Sequence, residues 1–240
     1  MMGLMMACRW YIILVQRSVK INGTQLTWSS DFMKIRYLNE QGVTAVAQMK
    51  LDHWQTVYRG MIDDDYLDEL TLEREISGIA SVISIESILK TLSAEESCKN
   101  MKTVCEISST LKRMIYIIIA ENEDNEIIGF CIFGYRWAVS SDTRNFNDYD
   151  YQIHELYVPE MYRHKGVGSK LIRFAFKEAI KLGQEKVLVR THAENKNAIY
   201  FYKKMGGNII GESEIELGSK SYPQVVIGFQ LEYFLATPSR

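Results

Sequence analysis

The order of elements along this chain predicts a mixed α/β (α+β) fold: helices first, then an antiparallel meander of strands, then a strand–helix–strand unit. Three observations carry that prediction. Apolar residues recur at three- and four-residue spacing from Val43 to Met61, and again within "GSKLIRFAFKEAIKLG", as on one face of a helix. The runs "RMIYIIIAE", "EIIGFCIFGYRW" and "YQIHELYVP" are β-branched and aromatic, and turn formers separate them. Only three prolines occur in the whole chain, and no low-complexity tract or repeat divides it.

Residues 1–32 read as an N-terminal extension whose order the sequence leaves open. Arg9 interrupts its apolar start, and the uninterrupted run from Trp10 to Val15 is far shorter than the about 20 residues a membrane helix needs. No basic segment followed by a cleavage site marks a signal peptide. The compact pattern begins at Met33, which could itself be a start, and continues to about residue 235 as one domain. A short strand is expected over Met33–Leu38. The first helix carries Val43, Ala47, Leu51, Trp54, Tyr58 and Met61 on one stripe, with Gly60 loosening its end. Asp63, Asp64 and Asp65 suit the N-terminus of a second helical region, where acidic groups complement the helix dipole. That region runs through "YLDELTLEREISGIASVISIESILKTL", with a break expected near Gly78, and the polar stretch from Ser93 to Ser109 reads as a connection. The "NEDN" turn joins two strands, a polar loop leads to the third, and Gly183 closes the following helix. Strand "KVLVRTH", helix "NKNAIYFYKKMG" and two further strands complete the chain.

Composition excludes several classes of function. With 47% hydrophobic and 24% charged residues the chain is of ordinary globular make-up. A formal net charge of -2 gives no reason to expect nucleic acid or an anionic membrane as partner. Cys8, Cys98, Cys105 and Cys131 form no CxxC pair, and His53, His154, His164 and His192 form no cluster with them, so no metal site is expected. Structural thiols and the missing signal peptide point to a reducing cytoplasm.

The chemistry concentrates in "YVPEMYRHKGVGSKLI", residues 157–172. A Walker-type loop would need four residues between its glycines followed by Gly-Lys-Ser/Thr, and a dinucleotide fingerprint would need a third glycine. What remains is Arg-x-x-Gly-x-Gly opening a helix. Gly166 and Gly168 leave backbone N–H groups uncovered at a helix N-terminus, and Arg163, Lys165 and Lys170 surround them. By these features alone, a phosphate site and a plain tight turn are equally good readings.

Taken together with "NKNAIYFYKKMGG" downstream, the stretch resembles the paired motifs of the GNAT acetyltransferase superfamily. Arg163, Gly166 and Gly168 fall on that family's pyrophosphate loop. Asn195, Ala198, Phe201, Tyr202 and Gly206 fall on its second motif, about 30 residues further on. "HWQTVYRGMIDDDYLDEL" is similar to the family's first two helices, where the acceptor binds. The resemblance implies a mostly antiparallel central sheet that splays after strand four, with acetyl-CoA as cosubstrate in the gap. It implies backbone contacts from Tyr157 and Val158 to the pantetheine arm, with the Val158 N–H placed to stabilise the developing thioester oxyanion. Amides from Lys165 through Gly166, Val167, Gly168 and Ser169 to Lys170 would hold the pyrophosphate, and Asn195 would meet the cofactor from the splayed side.

The implied reaction is direct attack on the thioester by an amine whose proton must first be removed. Glu155, two residues before Tyr157, is the candidate base, with His154 a weaker option on the opposite strand face. Tyr202 matches the tyrosine that returns a proton to the departing thiolate. Trp54 and Tyr58 suit either core packing or the acceptor pocket, and Asp63 to Asp65 either a helix start or an amine-binding wall. A small-molecule amine is the expected acceptor. A protein or peptide N-terminus, or no acceptor at all in an acyl-CoA-binding sensor, are the alternatives. Family members commonly dimerise, so a homodimer is compatible with the resemblance.

Overall fold

The computed structural model describes residues 33–83, 115–136 and 146–235. The N-terminal extension, the connection at 93–109, Cys8, Cys98 and Cys105 and most of the loop before residue 146 lie outside them. The strands are β1 (Lys34–Tyr37), β2 (Ile115–Glu121), β3 (Ile127–Tyr135), β4 (Tyr151–Tyr157), β5 (Lys186–His192), β6 (Asn208–Leu217) and β7 (Lys220–Gln230). The helices are α1 (Val43–Val57), α2 (Asp64–Asp68), α3 (72–83), α4 (Val167–Lys181), α5 (Lys196–Lys204) and α6 (Glu232–Leu235).

All strands join one sheet in the order β1-β2-β3-β4-β5-β7-β6, antiparallel except where β4 meets β5. Strands β2 and β3 are covered on both faces, which is why their sequences are apolar throughout rather than alternating. On one face Cys131, Phe133 and Ile153 pack against Leu171, Ala175 and Phe176 of α4. On the other, Ile117, Ile119, Phe130 and Ile132 pack against Val43, Val46 and Ala47 of α1 and Ile79 of α3. Gly129 sets how closely α4 approaches the sheet: a Cβ there would lie 3.0 Å from the Tyr157 carbonyl oxygen and 3.2 Å from the Val167 side chain.

The second helical region differs from its expected form. Asp63 does cap α2, its side chain accepting from the Asp65 N–H at 3.2 Å, but that helix ends at Asp68. Thr71, whose hydroxyl oxygen accepts from the Arg74 N–H at 3.3 Å, starts α3, which runs unbroken through Gly78. The burial of Leu67 and Leu70 against Leu51 and Leu217 draws the chain inward and separates the two helices.

Strand β4 decides the site. Its partners on β3 jump from Ile132↔Glu155 to Phe133↔Ile153, so His154 has no opposite residue and forms a bulge. A bulge bends and over-twists the strand that carries it. Pairing with β5 covers only Tyr151, Gln152 and Ile153 and stops at that bulge, whereas β5 stays paired with β7 as far as His192↔Gln224. The sheet therefore parts between β4 and β5.

Candidate active site

Where the strands part, a cleft of about 1410 Å3 opens. Residues 154–158 form one wall and Val189–His192 the other, with α1 and α3 at one end and the N-termini of α4 and α5 at the other. Its dimensions exceed those of a typical small-ligand pocket, roughly 300–1,000 Å3.

The loop into α4 uses two residues of positive φ, His164 (60°) and Gly166 (81°). Gly166, the residue before the helix, takes this conformation without the steric cost a Cβ would bring. No side chain among the described residues caps the helix, and the N–H groups of Val167, Gly168 and Ser169 have no acceptor from the helix itself. These residues line the cleft together with Arg163, whose Nε donates to the Val158 carbonyl at 3.0 Å. Two cations expected around the loop stand elsewhere. The Lys170 N–H already donates to Gly166 O at 3.0 Å, and Lys165 Nζ lies 5.7 Å over the Tyr162 ring. Neither residue lines the cleft; on α4 successive side chains point around the axis, so Lys170 turns away and Arg173, four residues beyond Ser169, lines the cleft instead.

Tyr202 lies in the cleft wall and is almost wholly buried. Burial pushes its phenol well above the ordinary tyrosine range, helped by the nearby Cys131 and Tyr58 groups, so it stays protonated. Asn195 caps α5, its side-chain oxygen accepting from the Ala198 N–H at 3.1 Å. Tyr157, Val158, Trp54 and Tyr58 line the same space, the Trp54 and Tyr58 rings 5.0 Å apart. Tyr58 is pushed up to about 12 by burial and by the Glu155 charge, while a hydrogen bond with Asn195 works against the shift.

Glu155 points to the α1 side of the sheet. One oxygen, Oε1, meets Lys50 Nζ at 2.9 Å, and the other, Oε2, is buried with no hydrogen-bond partner among the described residues. Lys50 also meets Glu75 at 3.0 Å. Burial raises the Glu155 carboxyl above its usual range, and the Lys50 ammonium works against that rise.

His154, the alternative base, bonds Tyr135 O through Nε2 at 3.0 Å, and burial with the Arg190 charge brings it down to about 4 despite that bond. Between about 6.5 and 4 the unfolded chain holds a proton on this residue and the folded chain does not, so stability falls as pH falls. Over the full window the effect is on the order of 3 kcal/mol. His154→Gln is expected to give a flatter dependence of unfolding free energy between pH 7 and pH 4 than the native chain. Parallel curves in denaturant titrations would contradict this.

The cleft residues missed by sequence reading include Lys50, His53, Arg173 and His192. Lys50, His53, Trp54, Val57 and Tyr58 repeat at helical spacing and share the cleft-facing side of α1. The His53 ring lies 4.3 Å from that of Tyr157, and burial, with Arg163 nearby, lowers it to about 4. His192 accepts from the Glu194 N–H through Nδ1 at 3.1 Å, which leaves Nε2 to carry the proton of the neutral ring.

The chain is similar to several known proteins. It is 34% identical over 79 residues to an uncharacterised N-acetyltransferase of Methanocaldococcus jannaschii, MJ1207, a match covering 33% of each chain. It is 37% identical over 62 residues to the L-ornithine N5-acetyltransferase NATA1 of Arabidopsis thaliana, covering 26% of this chain and 27% of that one. It thus matches between a quarter and a third of the length of these relatives. The PaiA N-acetyltransferase of Thermoplasma acidophilum, solved in complex with coenzyme A, superposes with a TM-score of 0.51 at 19% identity, over 82% of this chain and 98% of that one. Residues 85–207, which span the split in the sheet, the α4 loop and the α5 motif, match the acetyltransferase (GNAT) family, and the chain belongs to that family.

Proposed function

We propose that the chain is an acetyl-CoA-dependent N-acetyltransferase whose acceptor is a small molecule bearing a primary amine. One observation carries this reading: an open helix N-terminus, a buried protonated phenol and a carboxylate with one oxygen unpartnered among the described residues all line the cleft between β4 and β5. The cleft suits the cosubstrate. Gly168 keeps the space near the α4 amides open, and the edge of β4 beyond Ile153 has no partner in β5. The amides of Val167, Gly168 and Ser169, with Arg163 and Arg173, would bind the pyrophosphate, and the peptide groups of Tyr157 and Val158 the pantetheine arm. Bound acetyl-CoA supplies an acetyl group activated as a thioester.

The chain's own residues then handle the protons. An aliphatic amine with a pKa near 10 is protonated at neutral pH, roughly a thousandfold against its nucleophilic form. Glu155 Oε2 is the group to take that proton, directly or through a water. The free amine forms the C–N bond, and as the C–S bond breaks the nitrogen's second proton passes to the departing thiolate, to which Tyr202, protonated over the whole working range, donates a hydrogen bond. The small-molecule class is favoured by the ornithine-acetylating relative and by an acceptor end walled by Trp54, Tyr58 and His192.

An amine panel read by release of free CoA thiol tests the reading. Diamines and amino acids with a side-chain amine are expected to release thiol faster than peptides with a free N-terminus. Release with peptides alone would move the assignment to protein acetylation. Bound acetyl-CoA with no release for any amine would make the chain a sensor rather than an enzyme.

A further inference from the structure

Lys50 has no role in the reading above, yet its ammonium group joins three elements. It stands on α1 between Glu155 of β4, at 2.9 Å, and Glu75 of α3, at 3.0 Å. All three side chains are largely buried, at 19%, 23% and 13% exposure for Lys50, Glu155 and Glu75, so the contacts are shielded from solvent screening. The bulge at His154 sets Glu155 opposite Ile132 and turns it toward α1. Lys50 then holds Oε1 and leaves Oε2, buried in the cleft wall, without a hydrogen-bond partner among the described residues.

We propose that Lys50 is a positioning residue for acetyl transfer: bridging Glu155 and Glu75, it keeps Glu155 as a carboxylate and presents that group's second oxygen to the acceptor amine. The proposal rests on Glu155 being the base. The charges facing Glu155 have opposite signs. Lys50 favours its ionised form, and Glu75, a second carboxylate on the far side of Lys50, disfavours it. The other titratable neighbours that feel its charge, Tyr58 from α1 and Cys131 from β3, are both raised and therefore neutral. Lys50 itself loses charge stability through burial but regains more from the two carboxylates, and it remains a cation. A cation locked between two carboxylates is a poor nucleophile, so Lys50 does not compete with the acceptor.

The consequence is a pair of shifts in opposite directions. Lys50→Met removes the favourable charge, and the acidic limb of the kcat/KM profile is expected to move up by about 1–3 pH units. Glu75→Gln removes the unfavourable charge and leaves Lys50 to Glu155 alone, so the limb is expected to move down by about one unit. Lys50→Arg keeps the cation and is expected to hold the limb near its native position. General loss of packing would lower rates without producing shifts of opposite sign, and thermal melts identify any variant that fails to fold. If Lys50→Met does not fold, Glu75→Gln and Lys50→Arg still carry the test.

Glu155→Gln separates this proposal from the reading beneath it. An acidic limb that survives in Glu155→Gln shows that Glu155 is not the base. A limb lost in Glu155→Gln but unmoved, or moved the same way, by Lys50→Met and Glu75→Gln leaves the base in place and overturns the role of Lys50.

Discussion

Replacing Tyr202 by Phe is expected to slow acetyl transfer by roughly 10²–10³-fold while leaving acetyl-CoA affinity within about twofold. The substitution removes one oxygen and leaves the ring's packing in place: it lies against Phe201 and Phe229, at 5.3 and 6.4 Å between centroids. Phe fills the same volume and keeps those contacts, so the fold and the cleft should be retained. The loss is a hydrogen-bond donor aimed at charge that develops only as the sulfur departs, and such an interaction affects turnover rather than binding. Burial holds the phenol protonated, so this contribution should not titrate between pH 6 and pH 9. Single-turnover thiol release and calorimetric titration measure the two quantities separately. Equal turnover in both proteins would remove Tyr202 from the mechanism.

Gly168→Trp is expected to weaken acetyl-CoA binding at least roughly 100-fold, close to 2.7 kcal/mol. Gly168 sits in the first turn of α4, and a Cβ built there would lie 3.5 Å from the Phe201 ring and 3.8 Å from Val158. Those are ordinary contacts, so Gly168→Ala should be accepted with a modest effect. An indole at the same position must extend into the space before the Val167–Ser169 amides, where the pyrophosphate is expected. Because the side chain grows into the cleft rather than the core, the variant should melt close to the native temperature. Retained micromolar affinity in a folded Gly168→Trp protein would show that the anion is held elsewhere.

The sequence makes the sheet's split legible through paired motifs rather than through the strands. Arg163, Gly166 and Gly168 at the start of one helix and Asn195 to Gly206 around the next pointed to a gap that no strand pattern marks. The bulge at His154 that opens the gap leaves no trace in "YQIHELYVP", because it depends on how β3 aligns with β4. Lys170 looked like part of the anion site because it is adjacent in sequence, but helix geometry turns it away and brings in Arg173. Lys50 and His53 escaped for a related reason: they sit beside the apolar stripe of α1, and polar residues there read as solvated. Only the tertiary partners, Glu155 and Tyr157, reveal that this flank faces the cleft. The restart at Thr71 was visible in principle, since threonine is a preferred N-cap residue, but continuous apolar periodicity masked it.

Amide hydrogen exchange with and without saturating acetyl-CoA tests the central claim most directly, that the gap between β4 and β5 is where the acetyl donor sits. The N–H groups of Val167, Gly168 and Ser169 lack helical acceptors and should exchange quickly in the free protein. With acetyl-CoA bound, exchange is expected to slow at 166–169 and 156–158, while the β6–β7 hairpin is unchanged. Saturated binding with no slowing at 166–169, or with protection confined to another part of the molecule, would contradict the account.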